Sequence, residues 1–241
     1  MDGGALSSVP EGHREYLAAG ADIIKTNTFM PSRDHAASAR IARKIAAEFS
    51  PKRFVAGSIG PAGTTVDGYF HQVCALIEGG VDLLLAETMT DIGKATMVLQ
   101  ACEKAFQKNG RSLPIMLSVT ISQEGLLLSS ETLEQFCNSV ASHKLFSVGI
   151  NCSFGARHMK SHIQRLREIV PTYVSCHPSA GLPDSSGNYP ESPEEWAAIV
   201  LEFAERGWAD IVGGCCGTTP DHIRALARAA HQIPHATIDL L

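Results

Sequence analysis

The sequence predicts an α/β protein of the (β/α)8 TIM-barrel type whose first strand is missing or degraded. Seven short apolar runs alternate with amphipathic stretches along the 241 residues. The runs are apolar on both faces, which is typical of parallel strands covered by helices on both sides. The series continues without a linker or a low-complexity tract, so we expect a single domain over residues 1–241 and a closed barrel rather than an open sheet.

The predicted strands share apolar bulk, and three of them follow a glycine that ends the preceding helix, namely Gly20, Gly80 and Gly207. In each of these three copies an aspartate stands between the glycine and the apolar residues. The predicted strands and apolar runs cover residues 22–26, 53–57, 80–84, 114–119, 146–150, 172–176 and 208–212.

Helices are predicted between the strands, and several have a recognisable start. Ser192 precedes Pro193 as an N-cap, with Glu195 three residues after the cap. The predicted helices cover residues 11–19, 34–49, 69–78, 92–108, 133–142, 157–168, 193–205 and 221–232.

The first strand of a standard barrel is not found. Residues Met1–Pro10 contain no strand pattern, and the first amphipathic stretch leads directly into the strand at 22–26. We therefore expect either a truncated N-terminus or a barrel that is open at one seam. An open seam exposes two sheet edges, which another segment or a partner chain, as in a homo-oligomer, would have to cover.

Composition excludes several classes of function. The net charge is −5 and the basic residues are scattered, which disfavours binding to nucleic acid or to an anionic membrane. No apolar stretch approaches the roughly 18 residues of a membrane span, and no signal pattern is present. Seven cysteines, two of them adjacent, do not form a disulfide framework. Reduced thiols and a cytoplasmic location are expected.

The cysteines at two strand ends are the most specific feature. Cys215 and Cys216 lie within a glycine-flanked run, Gly213–Gly217, and Cys152 follows another strand. Adjacent strand residues point to opposite faces, but glycines allow the backbone to bend so that both thiols serve one site. Three thiols at one barrel face predict a zinc site with an open fourth position, which is typical of catalytic zinc.

The other strand ends are polar, which is expected at the face of a barrel that carries the active site. Asn27, Ser58 and Thr120 are candidates for lining a pocket, although turn or cap roles fit them equally well. Glu87 is a candidate for substrate binding or for capping the following helix. His177 could contact a ligand or only position its loop.

The remaining cysteines are interpreted mainly as core residues. Cys74, Cys102 and Cys137 fall in predicted helices and are expected to be inert. Cys176 lies at a strand end, so a functional role stays open for it.

Nearly the whole chain resembles the homocysteine S-methyltransferase domain, the zinc barrel of cobalamin-dependent methionine synthase and betaine–homocysteine methyltransferase. The matching stretches are residues 20–29, 149–152, 177–183 and 213–220, and the last of them is highly specific.

This resemblance implies that Cys152, Cys215 and Cys216 are the catalytic zinc ligands, with homocysteine sulfur at the fourth position. It implies that Glu87 binds the amino group of homocysteine. The threonine at position 88 resembles the methionine synthase branch of the family, since the betaine-using branch has tyrosine at this position. Lys25 departs from that branch, which usually has glutamate there, and Asp2 does not match the aspartate of the family's first strand.

The expected function is zinc-dependent transfer of a methyl group to the thiol of homocysteine, which gives methionine. The chain encodes no cobalamin or folate module, so the donor is either methylcobalamin on a separate corrinoid-binding protein or a sulfonium compound such as S-methylmethionine. One alternative is a truncated, non-catalytic protein that binds zinc or homocysteine, or that serves as a partner subunit. Another, a barrel lyase or aldolase, is disfavoured because no strand end except that of Lys25 carries a lysine.

Overall fold

The computed structural model describes residues 3–30, 34–230 and 233. Seven parallel strands form one sheet in the order β1 to β7, and every strand pairs with its neighbours in sequence. The strands are β1 Ile23–Lys25, β2 Phe54–Ile59, β3 Leu83–Met89, β4 Ile115–Val119, β5 Ser147–Gly155, β6 Tyr173–Ser179 and β7 Ile211–Val212. The helices are α1 Gly3–Ala18, α2 His35–Ala46, α3 Val66–Glu78, α4 Ile92–Asn109, α5 Leu133–Val140, α6 Ala156–Ile169, α7 Pro193–Glu205 and α8 Pro220–Ala230. The predicted TIM-type barrel lacking one strand is confirmed.

The missing strand leaves a seam between β1 and β7. Within the described part of the chain, β1 pairs only with β2 and β7 only with β6. No strand occurs in residues 3–10, as predicted, and Met1 and Asp2 lie outside the described residues. Helix α1 contacts α8, and the Tyr16 hydroxyl donates to the Thr218 carbonyl oxygen at 2.9 Å. The helical layer therefore continues across the seam although the sheet does not.

Several predicted boundaries were wrong. The last strand is restricted to β7 because Trp208 N–H and Ala209 N–H donate to the Phe203 carbonyl oxygen and end α7 instead. Strands β3 and β5 continue past their predicted ends and carry the polar residues of the site inside the hydrogen-bonded ladder. Helix α1 begins at Gly3, before the predicted start, and contains Pro10. The predicted end of the last helix at Gln232 lies outside the described residues.

The alternation of strand side chains divides the core in two. One set faces the helices and forms the main apolar cluster with them, as Ile24, Val55 and Val174 do. The other set faces the barrel interior, where Leu83, Leu85, Met116 and Ala56 form a separate buried cluster. Packed against that cluster at the amino-terminal ends of the strands are Ile23, Phe54, Phe146 and Ile211. The lower interior is therefore apolar, and polar groups are confined to the carboxyl ends.

The aspartates of the repeated glycine–aspartate pattern hold neighbouring strands together. Asp82 accepts hydrogen bonds from the Val55 N–H and from Arg43. Asp210 does the same for the Val174 N–H and Arg167, whereas among the described residues the side chain of the exposed Asp22 pairs with Arg53 alone. The recurring pattern is therefore structural rather than functional.

All seven cysteines are free thiols. No helix in the described ranges combines the length and apolar character needed to span a membrane.

Candidate metal and substrate site

The carboxyl ends of the strands place a ring of polar side chains inside the barrel. On β1 to β4 these residues lie two positions beyond the apolar interior residues Ile23, Ala56, Leu85 and Met116, so they point inward as well. On β5, Asn151 accepts a hydrogen bond from the Ser118 hydroxyl of β4 and so shares this interior. The ring consists of Lys25 on β1, Ser58 on β2, Glu87 on β3, Ser118 on β4, Asn151 on β5 and His177 on β6. All except Lys25 and His177 are buried.

The structure brings the three predicted thiols together at the top of this ring. The sulfur atoms of Cys152 and Cys216 lie 3.4 Å apart, and all three sulfurs lie within 4.8 Å of one another. A tetrahedral zinc ion with Zn–S bonds of about 2.3 Å requires sulfur atoms about 3.8 Å apart. The spacing of Cys152, Cys215 and Cys216 therefore suits a single cation.

Local backbone geometry aims Cys152 at the other two thiols. Simple alternation would turn Cys152 away from the interior, because Asn151 before it points inward. Cys152 and Ser153 adopt positive φ values of 60° and 57°, and the register of β5 against β6 shifts between Cys152 and Gly155. This irregularity redirects the thiol, as bulges beside functional sites commonly do.

The loop after β7, which carries Cys215 and Cys216, requires glycine at two positions. Gly217 has a φ of 77°, and a Cβ there would lie 2.1 Å from the Tyr189 ring. A Cβ on Gly214 would lie 2.4 Å from the Thr218 hydroxyl oxygen. The loop is closed by hydrogen bonds from the Cys215 N–H to the Pro178 carbonyl and from the Thr218 hydroxyl to the Cys215 carbonyl.

The thiols are electrostatically unequal. A hydrogen bond from the Cys215 thiol, with further ones from Cys216 and Ser179, lowers the pKa of Cys152 to about 5. The same hydrogen bond to Cys152 raises the pKa of Cys215, and burial raises that of Cys216. One thiolate with two further thiols nearby forms a set of sulfur donors. Such a set suits zinc, a borderline-soft cation that binds sulfur ligands well. The residues present therefore fit the metal.

Glu87 lies below the thiols with both carboxylate oxygens engaged. Its side chain is 3% exposed, and it accepts hydrogen bonds from Lys25 Nζ at 2.8 Å and from the Ser58 hydroxyl at 2.6 Å. The cap of α4 is formed by Asp91, whose side chain accepts from the Lys94 N–H. The helix-capping alternative for Glu87 is therefore wrong.

Asn27 is not part of this hydrogen-bonded network. It lies exposed just beyond β1, while the buried threonines on either side bond to Ser58. Thr26 accepts from the Ser58 N–H at 3.0 Å, and Thr28 donates to the Ser58 carbonyl at 2.6 Å. Thr120 contacts the Ser153 hydroxyl at 3.2 Å and lies next to the thiol-bearing strand.

Sequence reasoning missed three residues near the thiols. The sequence marks Lys25 as a departure from the family's pattern and as a lysine at a strand end but does not place it in the site, yet its ammonium donates to Glu87 at 2.8 Å. The Ser179 hydroxyl donates to Cys152 at 3.8 Å, and Tyr189 interacts with the Cys216 thiol. A tyrosine within a loop of glycine, serine and aspartate, between two polar strand ends, was the signal available for Tyr189.

The other titratable candidates are accounted for by burial. Burial lowers the pKa of His177 to about 4, and its ring lies against Gly213, so the imidazole is neutral. Cys176 is fully buried with its sulfur 3.3 Å from that of Met159, which indicates a core role. Cys102 and Cys137 are buried, as predicted, and Cys74 is partly buried.

A cavity of about 980 Å³ lies at the opposite end of the barrel, among the amino-terminal ends of the strands. Its lining includes Asp82, Arg111, Lys144 and Asp210 but none of the predicted site residues. We therefore assign the site to the thiol face.

Comparison with known proteins supports the fold and the family. The metallated form of the homocysteine methyltransferase MmuM from Escherichia coli superposes with a TM-score of 0.73 at 19% identity, covering 94% of this chain and 85% of that chain. The apo form of that protein gives a TM-score of 0.72 at 22% identity, covering 93% and 85%. Dihydrodipicolinate synthase from Oceanobacillus iheyensis shares the barrel more distantly, with a TM-score of 0.57 at 11% identity and coverage of 94% and 67%.

These structural likenesses show the fold. The family model of homocysteine S-methyltransferase matches residues 6–230, and this match includes every polar strand end and all three clustered thiols. The chain therefore belongs to the homocysteine S-methyltransferase family.

Proposed function

We propose that this protein transfers a methyl group to the thiol of homocysteine, giving methionine, with Zn²⁺ held by Cys152, Cys215 and Cys216. The observation that carries the proposal is the convergence of these three thiols above the paired charges of Lys25 and Glu87. One end of this arrangement suits a metal-bound thiol, and the other suits the charged groups of an amino acid.

The chemical need is a nucleophilic sulfur at neutral pH. A free alkyl thiol has a pKa of about 8.5, so only a few per cent is thiolate at pH 7. Zinc, when bound, deprotonates a coordinated thiol and has no redox chemistry of its own. The three protein thiols leave one tetrahedral position open for the substrate sulfur.

The chain's own residues would position the substrate. Glu87, held by Ser58, offers negative charge toward the substrate ammonium, and Asn27 lies beyond β1 at the mouth of the barrel. Methyl transfer is an in-line displacement, so the rate depends on holding sulfur and methyl at near-attack distance. The hydrogen bonds that Glu87 accepts from Lys25 and Ser58, and those that Asn151 accepts from Thr88 and Ser118, would supply this rigidity.

The methyl donor is proposed to be methylcobalamin on a separate protein or module, or a sulfonium compound such as S-methylmethionine. Four of the exposed large apolar side chains, Phe29, Met30, Leu128 and Leu182, lie in loops that follow β1, β4 and β6. These loops border the thiol face, and an apolar rim of this kind favours a donor carried by a partner protein. We place the reaction in the cytoplasm, where thiols stay reduced.

The metal is tested first. Zinc content of the purified protein should be measured in the wild type, in Cys215→Ala and in Cys74→Ala, a matched control whose thiol lies in α3 away from the cluster. We expect about one zinc per chain in the wild type and the control and much less in Cys215→Ala. Equal zinc in all three proteins would contradict the proposal.

Turnover is tested separately, by incubating the zinc-loaded protein with homocysteine and each donor and measuring methionine by mass spectrometry. Methionine formation that depends on the protein and is lost in Cys215→Ala supports the proposal.

A second function, non-catalytic binding of zinc or homocysteine, is favoured by one observation, the open seam between β1 and β7. Binding of zinc and homocysteine without turnover by any donor would support this alternative. Methionine formation would eliminate it.

A further inference from the structure

The ion pair between Lys25 and Glu87 changes what the polar end of the site offers. Glu87 is buried, and Lys25 Nζ and the Ser58 hydroxyl each occupy one of its carboxylate oxygens. The Lys25 side chain is 44% exposed, whereas that of Glu87 is 3% exposed. The charge of the buried Glu87 is thus neutralised by Lys25, whose side chain is partly exposed.

Neutralisation weakens the attraction of Glu87 for a second cation. A substrate ammonium approaching Glu87 meets the charge of Lys25 at nearly the same distance, and like charges there oppose binding. A substrate carboxylate meets the opposite situation. The lysine ammonium has three N–H donors, and the described contacts with Glu87 use one of them.

Lys25 is also close to the thiol end of the site. Lys25 is the last residue of β1, and Cys215 and Cys216 follow the end of β7, so the three residues lie at the carboxyl ends of the two strands that border the seam. A short thiol substrate with its sulfur beside these cysteines can therefore place an anionic group against Lys25.

We propose that Lys25 binds the carboxylate of the thiol substrate, and that the site selects short mercapto-carboxylates mainly through this anionic end rather than through the ammonium. The inference rests on the proposed function, since it assumes that a thiol occupies the site. It assigns Glu87 and Ser58 the further role of positioning Lys25.

The experiment measures binding of three thiols to the zinc-loaded protein by isothermal titration calorimetry. The ligands are homocysteine, 4-mercaptobutanoate, which lacks the ammonium, and 3-mercaptopropylamine, which lacks the carboxylate. We expect 4-mercaptobutanoate to bind within about threefold of homocysteine. Loss of a charge-assisted hydrogen bond should weaken 3-mercaptopropylamine by about tenfold or more.

The variants are Lys25→Met and the matched control Lys160→Met. Lys160 is 45% exposed and pairs with Glu202 at 2.7 Å, so it has nearly the same exposure and pairing outside the site. In Lys25→Met we expect homocysteine and 4-mercaptobutanoate, the two ligands with a carboxylate, to bind about tenfold more weakly. The affinity for 3-mercaptopropylamine should not fall further. In Lys160→Met all three affinities should equal those of the wild type.

Each outcome decides the inference. Tighter binding of 3-mercaptopropylamine than of 4-mercaptobutanoate to the wild-type protein would overturn it, even if Lys25→Met failed to fold. An equal loss of affinity for all three ligands in a Lys25→Met protein that keeps its zinc would also overturn the inference. Failure of the proposed function looks different, because homocysteine itself would then not bind to the zinc-loaded wild type.

Discussion

Asn151 and Thr88 form a reciprocal pair of hydrogen bonds that ties the end of β5 to the end of β3. The Thr88 N–H donates to the Asn151 side-chain oxygen at 2.8 Å, and the Asn151 amide donates to the Thr88 hydroxyl at 2.7 Å. Thr88 has a φ of 61°, a backbone conformation that a β-branched residue adopts only when its surroundings hold it. Because Glu87 and Cys152 are the adjacent residues, this pair joins the substrate end of the site to the thiol end.

Replacing Asn151 should therefore destabilise the protein more than replacing a single partner. Asn151→Ala leaves the buried Ser118 hydroxyl and the partly buried Thr88 N–H without acceptors, at a cost of about 2–3 kcal/mol. Ser118→Ala removes only one of these bonds and should cost about 1 kcal/mol or less. Urea unfolding measures both. Equal losses of unfolding free energy in Asn151→Ala and Ser118→Ala would show that the reciprocal pair of Asn151 and Thr88 adds no stability.

The aspartates of the repeated pattern should differ in importance according to burial. Asp82, 15% exposed, accepts from the Val55 N–H at 2.8 Å and pairs with Arg43, so Asp82→Ala should cost about 2–3 kcal/mol. Asp22 is 66% exposed and pairs with Arg53, and solvent screening should limit the cost of Asp22→Ala to about 1 kcal/mol or less. Unfolding free energies of the two variants test this order, and a larger loss for Asp22→Ala would refute it.

Gly217 should be essential for the site rather than only for folding. Gly217→Ala adds a Cβ 2.1 Å from the Tyr189 ring at a φ of 77°, so the loop that carries Cys215 and Cys216 must move. We expect zinc content to fall sharply. Gly110→Ala is the matched control, since Gly110 also has a positive φ but no neighbouring atom within 4 Å of the added Cβ.

The Gly110→Ala protein should lose about 1 kcal/mol of stability and keep its zinc. If both glycine variants keep their zinc, the close approach of Tyr189 is not needed to shape the thiol loop.

Zinc should stabilise the folded protein through the thiol cluster. At a free concentration 100 times its dissociation constant, zinc adds about 2.7 kcal/mol, which for a domain of this size raises Tm by about 5–10 °C. Cys216→Ala should abolish most of this rise, whereas Cys137→Ala, a buried cysteine in α5, should lower Tm but retain the rise. Thermal unfolding with and without zinc distinguishes the two, and an undiminished rise in Cys216→Ala would exclude this cluster.

Alkylation should separate the site thiols from the core thiols. Burial raises the pKa of Cys102 and of Cys137 to about 12, so at pH 8 only about one thiol in ten thousand is ionised at either position. We expect neither to react with iodoacetamide in the folded protein, whether or not zinc has been removed by chelation. Of the cluster thiols, Cys152, whose pKa is lowered to about 5, should react, and only after chelation. Peptide mapping by mass spectrometry reads this out, and modification of Cys102 in native protein would contradict it.

Much of the fold could be predicted from residue order, because the apolar runs and glycine caps are local signals. The boundaries that failed depended on tertiary contacts. Trp208 reads as part of a strand, but its N–H completes the end of α7. The seam was predictable in the same way, since no strand pattern precedes the first amphipathic stretch.

The site was predictable to the extent that its chemistry is carried by residue type. Three cysteines at two strand ends, with glycines around one pair, indicate a thiol cluster wherever the barrel brings those ends together. Residue type could not show that Asn27 lies outside the hydrogen-bonded ring or that Lys25 lies inside it. Side-chain direction at a strand end depends on the last backbone angles and on the register with neighbouring strands.

The sequence by itself determined the class of fold, the missing strand and the residues able to hold a metal, because hydrophobic periodicity and thiol chemistry are properties of the chain. Only the tertiary structure decided where these groups point. The pairing of Lys25 with Glu87 and the bonds of Asn151 join residues far apart in sequence, and the left-handed backbone at Cys152 occurs where β5 shifts its register against β6. Such contacts arise because parallel strands in register bring their carboxyl ends to one face.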